Sequence, residues 1–536
     1  MARAKGTTRK KSMAPQAVAA RLPIALPPYL PWAILGLVMI CVWVARIRLL
    51  QIPLERDEGE YAFAGQLLLQ GIPPYKEAFN FKFPGVYGAY ALIMALLGQT
   101  IAGIHVGLLL LNAGTLALVY LLGRRVFSRT AGIAAAAAYA LLSVGIGVLG
   151  TQTHATHLVV AAAIGGTLLL LRAVERESPV ELFASGLLYG IAILMKQHGV
   201  FFAFFGALVL FAYRRRRMAV FARDLAILVI GTVVPVGLTA LALWRAGVWD
   251  KFWFWTITYS REYVMETSFS TGMPLFSETF PKVVGANVLL WLFAAVGLVA
   301  VRSRFAAALL VISFAAVCPG LYFREHYFVL MLPALALLAG ATVDFAARKL
   351  ENPLAAWLFY GAILGVCILL QSDYLFVSSP LAVCRRMYSY NPFPEVIPIS
   401  NYIRDHSGKD DRIAVVGSEP EVYFYAHRRS ATGYIYTYGM MEPQPFAMTM
   451  QNDMIHDIET VRPKFIVYAN VPWSWLRGPN SSLHIVDWWR EYSEKNYRMV
   501  GVADMTSAEQ ADYHWNEPFY RPRSSVYLAV FQRKDL

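Results

Sequence analysis

Long apolar runs separated by short polar breaks fill the chain up to about Gln371, after which the pattern changes character. A helix needs about 20 apolar residues to cross the hydrocarbon core. The runs that approach this length are Leu30–Leu50, His105–Leu122, Ala131–Leu149, Thr156–Leu171, Leu182–Met195, Val200–Tyr213, Leu225–Trp244, Val283–Val301, Phe305–Phe323, Tyr327–Ala346 and Leu354–Leu370. They predict a multi-span α-helical membrane protein with about 11 transmembrane helices. The short pair Leu182–Met195 and Val200–Tyr213 reads as a hairpin broken at Gln197-His198-Gly199. A further apolar block, Phe83–Ile104, carries Pro84, Gly85, Gly88 and Gly98, which suit a bent or shallow segment.

Charge decides how that last block is read. With the basic N-terminus in the cytoplasm and Phe83–Ile104 lying in the outer interface, the clusters Arg124/Arg125/Arg129, Arg172/Arg176, Arg214–Arg217, Arg302/Arg304 and Arg348/Lys349 all fall inside. That is the positive-inside distribution; a crossing Phe83–Ile104 would reverse it. Three wet regions then face outward: 51–82, 245–282 and everything after about Gln371. In the tail, Arg412–Gly417, Lys464–Tyr468, Met499–Ala503 and Val526–Phe531 read as strands, and Pro420–Tyr425 and Asp487–Lys495 as helices. The expected organisation is a basic cytoplasmic segment 1–29, a transmembrane domain 30–371 with its first outer loop at 51–104, and a small extracytoplasmic α/β domain at 372–536.

Composition agrees. Of 536 residues, 57% are hydrophobic and only 15% charged, against about a quarter charged in soluble domains. The net charge of +13 sits in inter-helix clusters, so it orients the chain and argues against nucleic-acid binding. Three of the four cysteines, Cys41, Cys318 and Cys367, lie in apolar runs and Cys384 has no wet partner, so no disulfide scaffold is expected. The segment 1–22 with Arg3, Lys5, Arg9, Lys10 and Lys11 leads into Leu30–Leu50 without a small-residue cleavage site, which favours an uncleaved first span in a plasma membrane.

The candidate chemistry gathers at the outer face. The first loop opens Glu55-Arg56-Asp57-Glu58-Gly59-Glu60-Tyr61. Acids at a helix start are favourable in any protein, so this run alone says little. The same loop carries Lys82, the hairpin tip carries Lys196, and Arg324-Glu325-His326 ends two further spans. Lysine and arginine snorkel at helix ends, but these cations lie outside, against the bias of every other cluster. A membrane-level phosphate would account for them. In a polyprenyl-phosphate sugar the phosphate leaves the anomeric carbon and needs charge neutralisation, which Lys82, Lys196, Arg324 and His326 would supply. The acceptor must lose a proton, which suits a carboxylate base. The expected geometry sets the base across one sugar from the cationic clamp.

At these residues the chain resembles the C-type glycosyltransferases, in the branch of the protein O-mannosyltransferases and lipid A aminoarabinose transferases. The resemblance rests on Arg56-Asp57-Glu58-Gly59-Glu60-Tyr61-Ala62, Lys82-Phe83-Pro84-Gly85, Tyr120-Leu121-Leu122-Gly123-Arg124-Arg125-Val126-Phe127, Met195-Lys196-Gln197, and Arg324-Glu325-His326-Tyr327-Phe328 leading to Leu332-Pro333-Ala334-Leu335. It covers roughly residues 30–370. It implies an inverting transferase using a polyprenyl-phosphate sugar, with Asp57 as base, Glu58 as its neighbour in the catalytic loop, and Lys82 facing the donor phosphate. Phe81 departs from both branches, which carry an acid or a histidine-proline pair before that lysine, so sugar and acceptor do not carry over.

The competing class is a transporter or flippase of lipid-linked sugars. Transporters usually carry ionisable residues near the midplane and repeat symmetry, whereas here the charges collect at one face. An inactive module presenting the tail would not need such a constellation. The expected partners are the polyprenyl-phosphate donor, a protein, lipid or glycan acceptor, and membrane lipid. No cofactor is predicted. Asp57 and Glu58 are close enough to share a divalent cation, but the sequence offers no evident third ligand, so no metal is predicted.

Overall fold

The computed structural model describes residues 26–350 and 352–535. The expected cytoplasmic segment, including Arg3, Lys5, Arg9, Lys10 and Lys11, lies outside the described residues but for 26–29.

Among the described residues, 8 helices are long and apolar enough to cross a membrane: Leu30–Arg48, Ile101–Val126, Ala155–Arg176, Gln197–Arg214, Met218–Arg245, Phe269–Val301, Glu325–Lys349 and Pro353–Leu370. Three other expected spans form the shorter helices Arg129–Val144, Pro179–Met195 and Arg304–Val317. The last stops well before Phe323 because Pro319 lacks an N–H and Gly320 takes φ +75°. The Phe83–Ile104 block divides. Its first part is the 14-residue helix Pro84–Leu97, which ends at Gly98 (φ +89°), and Ile101 already opens the next span, capped by the Thr100 side chain on Gly103 N. The expected hairpin is present, with a 3-10 turn at Gln197–Gly199.

Small residues hold the interior of the bundle together. Arg129–Val144 reads RTAGIAAAAAYALLSV, and every residue from Ala131 on is buried. A Cβ on Gly340 would meet Ala131 O and the Ala135 backbone, and one on Gly123 would meet Gly132 Cα at 2.9 Å. Close backbone approach through small side chains is how helices associate where lipid competes equally for apolar surface. In contrast, only 11% of the best apolar stretch in Met218–Arg245 is buried, so this helix presents its bulk outward.

The tail folds as a six-stranded mixed sheet flanked by helices. The strands are β1 (Arg412–Val416), β2 (Arg429–Ser430), β3 (Phe465–Asn470), β4 (Tyr497–Asp504), β5 (Asp512–Trp515) and β6 (Tyr527–Arg533), in the spatial order β2-β1-β3-β6-β4-β5. β1 is parallel to β2 and β3, while β6 is antiparallel to β3 and β4, and β4 is antiparallel to β5. Ile413–Val416 are fully buried and form a near-continuous apolar run, as expected for a parallel strand covered on both faces.

The tail is packed onto the first loop. A Cβ on Gly59 would lie 2.6 Å from Glu421 Cβ, and Phe63 stacks on Tyr423 with centroids 5.0 Å apart. Arg56 Nη2 pairs with Glu419 Oε1 at 2.6 Å, where Glu419 is wholly buried. Arg412 and Arg429 both engage Glu77, and Gly433 accommodates the ring of Phe79.

Candidate active site

The acidic run forms a helix start whose residues diverge. Glu55 caps the helix Arg56–Leu69 by accepting from Glu58 N at 3.0 Å. Successive residues of a helix turn by about 100°, so Asp57, Glu58 and Glu60 face different surroundings. Asp57 and Glu55 line a cavity of about 580 Å³ between the membrane bundle and the tail. Glu58 is fully buried away from that cavity; its Oε1 accepts from Thr153 N and stands 3.2 Å from His105 Nε2. Glu60 accepts from Asn80 Nδ2 at 2.7 Å and Tyr87 OH at 2.5 Å. Burial pushes the Glu60 carboxyl up to about 8.

Lys82, Arg324 and His326 line the same cavity as Asp57. Lys82 Nζ lies 3.2 Å from Asp57 Oδ1, and Tyr75 OH donates to the Lys82 carbonyl at 2.7 Å, fixing its backbone. Burial is the largest influence on Asp57 and raises it, but Lys82, His154 and Lys196 together hold its carboxyl below the usual value. His326 Nε2 is 3.8 Å from Asp57 Oδ2, and its ring stacks on His154 with centroids 4.0 Å apart at 13°. Arg324 lies over the Tyr322 ring at 5.7 Å. Lys196 is outside the lining, with Nζ over the Tyr327 ring at 3.9 Å.

Two expectations therefore change. Asp57 is in contact with Lys82 rather than one sugar away, because Lys82 returns to the N-terminus of its own loop's helix. Lys196 does not line the cavity and acts on Asp57 from outside the lining, with its Nζ over the Tyr327 ring. The structure also supplies lining residues that the sequence reading did not single out. Glu55 and His154 face the cavity, and the tail adds Tyr388, Tyr434, Tyr436, Tyr438, Glu442 and Trp473. His154 had a usable signal, since Gly150-Thr151-Gln152-Thr153-His154 is a polar break between two apolar runs. The tail residues had none, because their proximity depends on how two separate layers dock.

Part of the cavity wall is aromatic. Phe81 stacks on Tyr263 at 4.6 Å, and Tyr263 on Tyr322 at 4.7 Å. Beside Phe81, Tyr259 OH donates to Glu442 Oε2 at 2.6 Å, and at the other end of the stack Tyr322 OH donates to Glu266 Oε2 at 2.8 Å. Burial raises the Glu442 carboxyl to about 7. The cavity thus has an acid–cation pole at the first loop and an aromatic face running toward the tail.

Residues 83–244 match the family model described as dolichyl-phosphate-mannose-protein mannosyltransferase. The fold matches ArnT from Cupriavidus metallidurans, solved bound to undecaprenyl phosphate, with a TM-score of 0.59 at 14% identity over 94% of this chain and 98% of that one. The chain has the fold of the C-type glycosyltransferases. The same fold is shared with the oligosaccharyltransferase of Archaeoglobus fulgidus, solved with zinc and sulfate, at a TM-score of 0.53 and 14% identity over 90% of this chain and 73% of that one. No curated protein matches the chain by sequence. The C-type fold and the apolar helices make the chain an integral membrane protein, and the match to ArnT extends through the tail domain, beyond the part resembling that branch in sequence.

Proposed function

We propose that this chain is an inverting glycosyltransferase that moves a sugar from a polyprenyl-phosphate donor to a protein, lipid or cell-envelope glycan at the outer face of the membrane. The observation that carries this reading is the shared cavity, in which Asp57 faces Lys82, Arg324 and His326. Asp57 is the base and Glu58 its support, since Glu58 holds the Thr153 backbone beside the site. Lys82 and Arg324 receive the donor phosphate, His326 stands beside the second oxygen of Asp57, and Lys196 adds positive potential from over the Tyr327 ring.

The Asp57–Lys82 contact fits this reaction as a resting state. While paired, Asp57 is ionised but weakly basic. The incoming donor phosphodiester, with one negative charge, competes for Lys82, drawing Nζ away and leaving the carboxylate less stabilised; the second negative charge develops on the phosphate as it departs. Asp57 then takes the proton of the acceptor hydroxyl or amine as its heteroatom bonds to the anomeric carbon. The bond from that carbon to the phosphate oxygen breaks with its electron pair on the phosphate, where Lys82 and Arg324 neutralise it. Attack opposite the leaving phosphate inverts the centre. The aromatic wall suits the apolar face of a sugar ring.

A transporter of lipid-linked sugars would bind the same phosphate and form no glycosidic bond. Protein purified in detergent and given a polyprenyl-phosphate sugar and candidate acceptors should release polyprenyl phosphate and yield glycosylated product. Binding of donor with neither product in any acceptor mixture, together with movement of donor across vesicles, would favour the transporter.

A further inference from the structure

We propose that the tail carries an acceptor subsite for a saccharide, set at the carboxyl ends of β1 and β3 with Trp473 as its stacking residue. This rests on the transferase reading and names its acceptor as a sugar unit rather than a peptide. The strands β2, β1 and β3 are parallel and lie in that order. The chain therefore leaves β1 for β2 on one side and returns to β3 on the other. In open α/β sheets a ligand crevice lies outside the carboxyl ends of the strands at such a reversal. The loops that emerge there are Gly417-Ser418-Glu419 after β1 and Val471-Pro472-Trp473 after β3.

This crevice meets the cavity. Trp473 and Tyr438 line the cavity. Arg56, the residue before Asp57, docks on the β1 loop, its Nε donating to Ser418 O at 2.7 Å and its Nη2 pairing with Glu419. The loops are tied to one another. Ser418 N donates to Ser474 Oγ at 2.7 Å, Thr437 N to Ser418 Oγ at 2.9 Å, and Tyr438 OH to Trp473 O at 3.0 Å. A Cβ on Gly417 would meet Ala469 Cβ at 2.6 Å and Ser474 Oγ at 2.8 Å, so glycine permits this close approach. Two indoles in the β3 loop have different fates. Trp475 is buried and its N–H donates to Ala469 O at 2.7 Å. Trp473 is 40% exposed, and its ring lies parallel to that of Tyr390, at 4° with centroids 6.2 Å apart. A large ring held in one plane and left open at a cavity offers the apolar C–H face of a sugar a place to stack.

The polar groups of the lining suit the hydroxyls of the same ligand. Tyr388 and Tyr436 line the cavity, and their OH groups are buried with no hydrogen-bond partner among the described residues. An unmet buried hydroxyl costs free energy, and a polyol can satisfy several at once. Tyr436 stands near the base: after burial, Glu60, Asp57 and Glu55 are the groups that raise its phenol. Tyr438 links it to the stacking residue, with its ring centroid 5.3 Å from that of Tyr436 and its OH on the Trp473 carbonyl. A sugar resting on Trp473 and bonded to Tyr436 would thus present a hydroxyl toward Asp57. The buried acids Glu419 and Glu421 in the β1 loop and the helix after it disfavour a nucleotide or other anion. A peptide would seek free main-chain groups, but Ser418 O and Trp473 O are already engaged. The sheet's unpaired edges belong to β2 and β5, not to the two strands that end at the crevice.

The test uses full-length protein in detergent and two readouts. Binding of the methyl α-pyranosides of glucose, galactose and mannose is followed by saturation-transfer NMR. Release of polyprenyl phosphate from a panel of polyprenyl-phosphate sugars is followed with the same pyranosides, or a threonine-containing peptide, as acceptor. At least one pyranoside should bind and promote release. Trp473→Ala should weaken its binding and raise the acceptor KM about tenfold, the worth of one stacked ring, with donor KM unchanged. Tyr436→Phe, which removes only a hydroxyl, should act several-fold in the same direction and carries the test if Trp473→Ala does not fold, judged by gel filtration. Phe519→Ala, whose ring is 94% exposed on a tail loop, should change neither readout. Absence of pyranoside binding in the parent, or equal binding in parent and both site variants, overturns the subsite even where transfer proceeds. Release promoted by the peptide and by no pyranoside overturns the saccharide class. A rise in donor KM in place of acceptor KM gives Trp473 to the donor's sugar and overturns the acceptor assignment. Pyranoside binding that depends on Trp473, with no release in any mixture, overturns the transferase reading and leaves the saccharide site standing.

Discussion

Lys82 Nζ stands 3.2 Å from Asp57 Oδ1 in the lining of a cavity that both residues share. The pair ties the charge state of one to the presence of the other. Burial alone would raise Asp57, and Lys82 is the foremost group holding it down. Its base form is therefore available at lower pH than burial would permit.

Removing the lysine should expose that dependence. In Lys82→Met the Asp57 carboxyl rises, so the acidic limb of kcat/KM against pH should move to higher pH while turnover falls. Asp57→Asn should abolish transfer and leave donor binding in place. Near-normal turnover in a folded Asp57→Asn protein would remove Asp57 as the base, and an unmoved acidic limb in Lys82→Met would break the proposed coupling.

Arg324 tests the phosphate clamp. Its guanidinium can give two parallel hydrogen bonds to a phosphate, whereas lysine is a point charge. A charge-assisted hydrogen bond contributes about 1.5–3 kcal/mol. Arg324→Lys should therefore lower kcat roughly ten- to a hundredfold, with donor affinity less affected if the bonds tighten on the departing phosphate. Parallel changes in KM with kcat intact would show that Arg324 merely binds the ground state.

The docking of the tail can be tested at the Arg56–Glu419 pair, 2.6 Å apart and buried on both sides. Removing one member of a buried pair typically costs about 3–5 kcal/mol because the other charge is left without a partner. Arg56→Met should lower the unfolding midpoint sharply, and Arg56→Met with Glu419→Leu should recover much of the loss. A double variant as unstable as the sum of the single ones would show that the two do not act as a pair.

Glu442 makes a stability prediction with a defined window. Its carboxyl is raised from 4.5 to about 7, chiefly by burial. Below the lower value the folded and unfolded chains are both protonated there. Between the two values the unfolded chain releases a proton that the folded chain keeps, so stability falls as pH rises through this window. Above about 7 the penalty is constant. Glu442→Gln should flatten that part of the stability profile, measured by thermal unfolding in detergent; an unchanged slope would assign it to other groups.

Much of the membrane architecture was legible because lipid imposes length and polarity on each span. The Gln197–Gly199 break and the strands at Arg412, Phe465, Tyr497 and Tyr527 follow from local pattern. The end of Arg304–Val317 was misread because Pro319 and Gly320 stop a helix inside an otherwise apolar run. At the candidate site, Lys82, Arg324 and His326 could be gathered from topology alone, since all three end up lining one cavity. The separate directions of Asp57 and Glu58 could not, because adjacent residues on a helix look equivalent until both neighbours of the helix are known. Tyr436, Tyr438 and Glu442 were hidden for a related reason: aromatic and acidic residues in a polar tail carry no mark of the surface they will meet.

The position of β6 gives the site an order of birth. Tyr527–Arg533 lies in the middle of the sheet, between β3 and β4, although it follows both in the chain. Until that strand emerges from the ribosome, β3 and β4 lack the neighbour they share, and the sheet of the domain that carries Tyr436, Tyr438 and Glu442 is incomplete. The earliest-made part of the cavity, at Glu55 and Asp57, thus faces a domain whose sheet is completed by some of the latest-made residues. A message truncated before residue 527 would yield a tail sheet split between β3 and β4.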